Sequence, residues 1–490
     1  WMAMGLLGGC AAVATVVHLF PQVVPERLFW GSRLPLAWLV QSRGIEQVYS
    51  GGSGTVTQRE VWEFQRRTGH CPPFAGVDPK YPLCAAKATT RGRRANGRSV
   101  LFVIMESVGM AQLEQSVDGR PIMPNLQRIA AENLRFSNFL AVGEKSCQAM
   151  PSLFAGITVQ QNINLLWRNP LNSFEGLARS LVDSGYRTVY FHGSDLSFEQ
   201  QRDFLRMVGY ETFVEQELDA SVPTYAWGYA DEEMFSRLRS WVEDLRERQV
   251  KRPYLATLFT LSTHDPYIIP ENWGRKFTTA PPVHEYADDW NRLRTREAPE
   301  AVFRESLAYL DHQLGEFYRW YREVERPRGT ILILVGDHVP LVDQKIPDTP
   351  APSRFLVPLI VSGIDPERYR FAQNRLGSQT DVPATMRYLL GMDPGRCDQG
   401  LNLLAEEADW PSDRYILTLS GSELEENYVW SMQWVVRFNR ATRRTYVYAR
   451  DRQLSDAAAG AIMGEAERFR ALSHRIGSFL AANDAFSPRS

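Results

Sequence analysis

The ten residues ILILVGDHVP at 331–340 constrain the fold more than any other stretch. Five aliphatic side chains in a row, Ile331 to Val335, leave no face for water. A strand built from them is covered on both sides, as in a parallel sheet sandwiched between helices. Sheets of that class carry their chemistry just beyond the carboxyl ends of the strands. Gly336 lets the backbone turn with no Cβ in the way. Asp337 and His338 then stand at the ligand-binding edge, one offering oxygen and the other imidazole nitrogen.

Similar runs recur: SVLFVIM (99–105), YRTVYFH (186–192), PYLATLFTLS (253–262), TILILV (330–335) and LVPLIVS (356–362). Helical patterns such as MPNLQRIAAENL, DEEMFSRLRSWVEDLRER and RESLAYLDHQLGEFYRWYREV lie between them. This alternation predicts an α/β sandwich with a large, mostly parallel sheet flanked by helices. SVLFVIM ends in Glu106, YRTVYF in His192, ATLFTLS leads through Thr263 to His264, and TILILV ends in Gly336 before Asp337-His338. Four strands would therefore deliver Glu, His, His and Asp–His to one edge. Each residue alone suits a cap or a satisfied structural group; their shared placement points to a functional site.

The rest of the chain reads as additions to that body. After about residue 400, YILTLS, WSMQWVVRFNR and RRTYVYAR look like short antiparallel strands, and AAAGAIMGEAERFRALSHRIGSFL closes as an amphipathic helix. Residues 401–490 are thus expected to form a small C-terminal α+β subdomain behind a catalytic domain at 98–400. The chain opens on Trp, and WMAMGLLGGCAAVATVVHLF (1–20) is apolar over a length that suits one membrane crossing. Residues 1–24 are read as an anchor helix, the end of a membrane region, and 25–97 as a juxtamembrane connector rather than core. Cys71 and Cys84 bracket a Pro-rich loop and are expected to pair if the domain is exported. Cys10 and Cys397 are expected to be unpaired. A net charge of −2 with no basic excess argues against nucleic-acid binding.

Two carboxylates and an imidazole, Glu106, Asp337 and His338, make a mixed oxygen/nitrogen donor set suited to zinc or manganese, with a coordination position left open. The candidate to fill it lies in GEKSCQAMPSLFAG (143–156), a polar stretch running into a helix start. A hydroxyl needs a base or a metal to become a nucleophile at neutral pH. Ser146 is the first choice, with Cys147 and Ser152 as competitors, and backbone N–H groups at the helix start suit a phosphate.

The series ESVG, PIMPNLQRIAAENLRFSNFLA, KSCQAMPS, FHGSD, STHDPY, GDH and SQTDVPATMRYLLGMDP over residues 98–400 resembles the alkaline phosphatase/sulfatase superfamily. Within it the chain is most similar to lipoteichoic acid synthases and related membrane-anchored phosphoglycerol transferases. The resemblance implies one divalent ion, manganese first and zinc or magnesium next, held by Glu106, Ser146, Asp337 and His338. It implies that Ser146 is the nucleophile, that His264 assists catalysis, and that His264, His192 and Arg202 line the phosphoglycerol pocket. It also implies a phosphatidylglycerol donor, a glycan or glycolipid acceptor, and a catalytic domain outside a bacterial cytoplasmic membrane. Phosphoethanolamine transfer, phosphoester hydrolysis and a non-catalytic lipid-sensing role are the alternatives. Two positions depart from the pattern, Ser146 where Thr is usual and Glu144 where Gly is usual. Formylglycine-type sulfatase chemistry is disfavoured, because its C/S-x-P-x-R pattern is absent: Gln148 follows Ser146 by two and Ala149 follows Cys147 by two.

Overall fold

The computed structural model describes residues 56–70, 77–78, 81–85, 95–158, 164–167, 172–217, 222–225, 227–277, 298–340, 351–420, 426–439, 442–449 and 455–486. A seven-stranded sheet forms its centre. In chain order the strands are β1 (Val100–Met105), β2 (Leu134–Phe136), β3 (Arg187–His192), β4 (Thr212–Val214), β5 (Tyr254–Phe259), β6 (Ile331–Gly336) and β7 (Leu359–Ser362). Across the sheet they stand in the order β2-β7-β6-β1-β5-β3-β4. Neighbours are parallel except at β7, which runs antiparallel to both β6 and β2. The large, mostly parallel sheet expected from the apolar runs is present. LVPLIVS enters it reversed, and as a strand only from Leu359, after Pro358, which has no N–H for a ladder.

Both faces of the sheet are covered, which is why β1 and β6 carry no polar residue. Val100, Phe102 and Ile104 of β1 face one core, and Leu101, Val103 and Met105 face the other. The helices that complete the layers include α1 (Gln58–Thr68), α2 (Pro124–Glu132), α3 (Ser146–Ala155), α4 (Asp231–Glu247), α5 (Ala298–Trp320), α6 (Val382–Leu389) and α7 (Asp456–Asn483). Leu126 of α2, Leu238 of α4 and Leu314 of α5 cover one face. Leu153 of α3, Met386 of α6 and Phe469 of α7 share the core on the other.

The C-terminal part is a four-stranded antiparallel sheet, β8 (Ile416–Leu419), β9 (Glu426–Trp430), β10 (Trp434–Asn439) and β11 (Arg444–Ala449), closed by α7. It is continuous with the main body: Leu417, Val429 and Val436 belong to the same buried cluster as Phe102 and Phe154.

Two expectations are corrected. Part of the stretch read as a connector is core, because α1 buries Val61 and Phe64, the latter stacked on Phe469 of α7 at 6.0 Å. Cys84 is bonded to Cys397, not to Cys71, so Cys397 is not an unpaired residue. The bridge joins the strand Tyr81–Ala85 to a loop 313 residues away. Cys10 and Cys71 lie outside the described residues, as does the 1–24 segment read as an anchor. Among the described residues no helix is long and apolar enough to cross a membrane.

Register builds the edge where chemistry is expected. Gly336 of β6 stands opposite Met105 of β1, and Phe259 of β5 stands opposite both Ile104 of β1 and His192 of β3. Glu106 and Asp337 therefore leave the sheet at the same level, and His192 stands about two residues' rise before them.

Candidate active site

Glu106 follows β1 directly and is clamped by its backbone. Its N–H donates to Thr260 Oγ1 at 2.9 Å, and Thr263 Oγ1 donates to its carbonyl at 2.5 Å. Ser107 then takes a left-handed conformation, φ 55°, sparsely populated by residues other than glycine and asparagine. That turn serves both carboxylates. The Ser107 N–H donates to Asp337 Oδ1 at 2.8 Å and its hydroxyl to Glu106 Oε1 at 2.8 Å. His338 N–H adds a second donor to Asp337 Oδ1 at 2.7 Å. Neither Ser107, Thr260 nor Thr263 was singled out for a role from sequence. The one available signal was their position, one to four residues beyond an apolar strand.

The functional atoms converge. His338 Nδ1 lies 2.8 Å from the Val339 carbonyl, which makes Nδ1 the protonated nitrogen and leaves Nε2 as the donor atom facing the site. That Nε2 sits 3.2 Å from Asp337 Oδ2, 3.4 Å from Glu106 Oε1 and 3.3 Å from Ser146 Oγ. Ser146 Oγ donates to Glu106 Oε2 at 3.0 Å. It reaches the cluster because it is the first residue of α3, with Lys145 at the N-cap. One ligand atom from each of Glu106, Asp337 and His338 lies within 4.8 Å of the others, and all three residues are buried.

Two buried carboxylates this close do not share the site comfortably without a cation. Burial pushes the Glu106 carboxyl up, but His338, His264 and the Ser107 hydroxyl outweigh it and hold the group below its ordinary value. Burial and the neighbouring Glu106 charge push Asp337 well above its own. Asp337 Oδ2 is buried with no hydrogen-bond partner. An orphaned carboxyl oxygen beside an imidazole nitrogen, a second carboxylate and a hydroxyl is a donor set that fits a divalent ion.

The other predicted residues divide. His192 is buried at the end of β3, and burial, its largest influence, lowers its pKa and keeps it neutral. Its Nδ1 is 3.1 Å from the Phe259 carbonyl, so Nε2 is the free nitrogen. His264 is half-buried, directs Nδ1 to the Asp265 carbonyl at 2.7 Å, and lies edge-on to Trp227 with ring centres 5.0 Å apart. It borders a recess lined by Tyr225, Trp227, Tyr229 and Ile268. Arg202 is engaged elsewhere: its guanidinium pairs with Glu215, and lies 3.4 Å from Asp195. The competing nucleophiles are occupied or suppressed. Ser152 Oγ donates to the Ile157 carbonyl at 2.6 Å, closing the end of α3. Burial, with Glu199 nearby, raises the Cys147 thiol well above its ordinary pKa. Glu144, the departure from glycine, is buried and paired with Arg354.

Residues 98–392 match the family model described as Sulfatase. Among curated proteins, lipoteichoic acid synthase 2 of Bacillus subtilis (strain 168) is 21% identical over 373 residues, covering 69% of this chain and 54% of that protein. Phosphoglycerol transferase I of Xanthomonas campestris pv. campestris (strain B100) is 24% identical over 347 residues, covering 68% of this chain and 46% of the other. The chain thus spans about half the length of the curated relatives it matches. Among solved structures, the lipoteichoic acid synthase LtaP from Listeria monocytogenes superposes with a TM-score of 0.64 at 16% identity, over 88% of this chain and 98% of that one. A protein in the alkaline phosphatase superfamily from Vibrio parahaemolyticus reaches 0.68 at 18% identity, over 90% and 100%. These likenesses show the fold.

Proposed function

Since the chain belongs to the sulfatase family, we propose that it transfers a phosphoglycerol group from phosphatidylglycerol to a glycan or glycolipid acceptor, through a covalent ester on Ser146. The observation that carries this reading is the placement of one hydroxyl, Ser146 Oγ, at a helix N-terminus and within 3.0 Å of Glu106 and 3.3 Å of His338. The relatives named lipoteichoic acid synthase and phosphoglycerol transferase supply the substrate class.

Glu106, Asp337, His338 and Ser146 would hold one divalent ion, manganese by preference. When bound, it supplies Lewis acidity that favours ionisation of the serine and offsets charge on phosphoryl oxygens. The remaining work falls to the chain. Glu106 Oε2 accepts the Ser146 hydrogen bond and so aims Oγ into the cluster. Ser146 Oγ, ionised with its proton lost to solvent, bonds to phosphorus as the bond from phosphorus to the diacylglycerol oxygen breaks. His264, with Nδ1 turned to its own loop, presents Nε2 to the substrate and delivers the proton the leaving oxygen requires. An acceptor hydroxyl then gives its proton back to the imidazole and displaces Ser146 Oγ, restoring the ionised serine. His192 contributes a neutral nitrogen to the phosphoglycerol pocket, while Arg202, its guanidinium paired with Glu215, is given no contact there.

In this reading residues 98–400 are the catalytic domain, 401–490 its C-terminal subdomain, and 1–24 a membrane anchor. The working compartment lies outside the cytoplasmic membrane. The Cys84–Cys397 bridge supports that placement, because structural disulfides persist in oxidising compartments.

The test uses the full chain with Mn²⁺ and vesicles carrying headgroup-labelled phosphatidylglycerol or phosphatidylethanolamine. Diacylglycerol should be released from the former, and the label should be found on the peptide containing Lys145-Ser146-Cys147. Ser146→Ala should lose release by several orders of magnitude, while Ser146→Thr keeps part of it. Turnover of phosphatidylethanolamine alone, or full activity in Ser146→Ala, would overturn the proposal.

A further inference from the structure

The stretch SQTD at 378–381 supplies no side chain to the ligand set, yet one of its side chains ties together the two loops that form it. Gln379 is fully buried. Its Nε2 donates to the Gly336 carbonyl at 3.0 Å and to the Asp337 carbonyl at 2.6 Å, just where β6 leaves the sheet. Its Oε1 accepts from the Val142 N–H at 3.1 Å, four residues before Ser146. The carboxamide fits one way round only. Flipped, its oxygen would face two carbonyl oxygens and its NH₂ would face an N–H.

The turn presenting Gln379 is itself held rigidly. Asp381 accepts the Ser378 N–H at 2.8 Å and the Leu401 N–H at 2.7 Å. It also accepts two nitrogens of the Arg414 guanidinium, at 2.6 and 2.8 Å, with both side chains buried. A fixed turn therefore sets the distance between the Asp337-His338 loop and the segment leading into α3.

We infer that Gln379 is a positioning residue that holds Asp337 and His338 against Ser146 and thereby sets the affinity of the site for a divalent cation. The inference rests on the metal reading given above. Partners that orient metal ligands without touching the metal typically change affinity by about 10–100-fold when removed.

Isothermal titration of the full chain with MnCl₂ tests it. Gln379→Met, which fills nearly the same volume but makes no hydrogen bond, should weaken Mn²⁺ binding by about tenfold or more, and excess Mn²⁺ should restore part of the lost activity. Gln379→Ala should behave alike; if it does not fold, the methionine variant carries the test. Asn133→Ala is the control, because Asn133 is also a buried amide, donating to the Ile129 carbonyl and Tyr318 hydroxyl, and touches neither loop. It should lose stability without losing Mn²⁺ affinity. Unchanged affinity in Gln379→Met, or an equal loss in Asn133→Ala, would overturn the positioning role. No Mn²⁺ binding by the wild type would instead remove the metal reading and the inference with it.

Discussion

Arg354→Met is the substitution whose cost the structure sets most directly. Arg354 is 3% exposed and lies between two buried carboxylates, Glu144 beside the proposed nucleophile and Glu426 at the start of β9. Glu426 keeps other partners without it: Arg437, Asn439 Nδ2 at 2.7 Å and the Tyr428 hydroxyl at 2.6 Å. Glu144 loses in Arg354 a buried cationic partner. Removing one member of a buried pair typically costs 3–5 kcal/mol, and the surviving support of Glu426 places this case near the lower end, about 3 kcal/mol. That is a large share of the roughly 5–15 kcal/mol that holds a domain together. Denaturant titration should show a lower midpoint at unchanged slope. Glu144→Gln/Arg354→Met removes the stranded charge together with its partner and should recover about 1 kcal/mol or more relative to the single variant, as expected for residues in contact. A cost below about 1 kcal/mol for Arg354→Met, or no recovery in the double variant, would refute the claim that Arg354 neutralises the nucleophile loop.

Two further outcomes follow from the ionisable groups. Burial raises the Cys147 thiol well above its ordinary pKa, so peptide mapping after native alkylation at neutral pH should find Cys147 unmodified, and Cys147→Ser should retain activity; rapid labelling would contradict this. Asp231 is fully buried, and burial outweighs the Leu261 and Ser262 donors to lift its carboxyl from 3.8 to about 6. The folded state therefore holds this proton more tightly than the unfolded state, so the group's contribution to stability is present at low pH and is lost as pH rises from about 4 through 6. Asp231→Asn, which cannot ionise, should cost about 2 kcal/mol more at pH ~4 than at pH ~7 in denaturant titrations. Equal costs at the two pH values would contradict the shift.

The parts of this molecule that were legible in the sequence are those whose cause is local. Ile331–Val335 is apolar on both faces and so announces a covered strand; Gly336, Asp337 and His338 follow it in the chain and necessarily reach the same edge. The alternation of such runs with helical patterns predicts the sandwich for the same reason. Direction is not local. An apolar strand has no polarity that a pattern can display, and LVPLIVS enters antiparallel to β6. Pairing across the chain is not local either. Cys71 and Cys84 look matched because they bracket one loop, whereas the partner of Cys84 arrives 313 residues later. The resemblance assigns Arg202 to the pocket, whereas in the fold its guanidinium pairs with Glu215, 13 residues further along the chain.

Glu144 joins these two kinds of information. A carboxylate where the resembling family has glycine reads as a disturbance of the nucleophile loop when only its neighbours are considered. In the fold that carboxylate is buried against Arg354, which follows β6 by 18 residues and is itself braced by Glu426 from the C-terminal sheet. The anion at position 144 is therefore met by an arginine brought to the same place, and that arginine also pairs with a carboxylate of the C-terminal sheet. The loop that carries Ser146 thus depends on the antiparallel sheet added after the catalytic body, which makes that sheet part of the site's support.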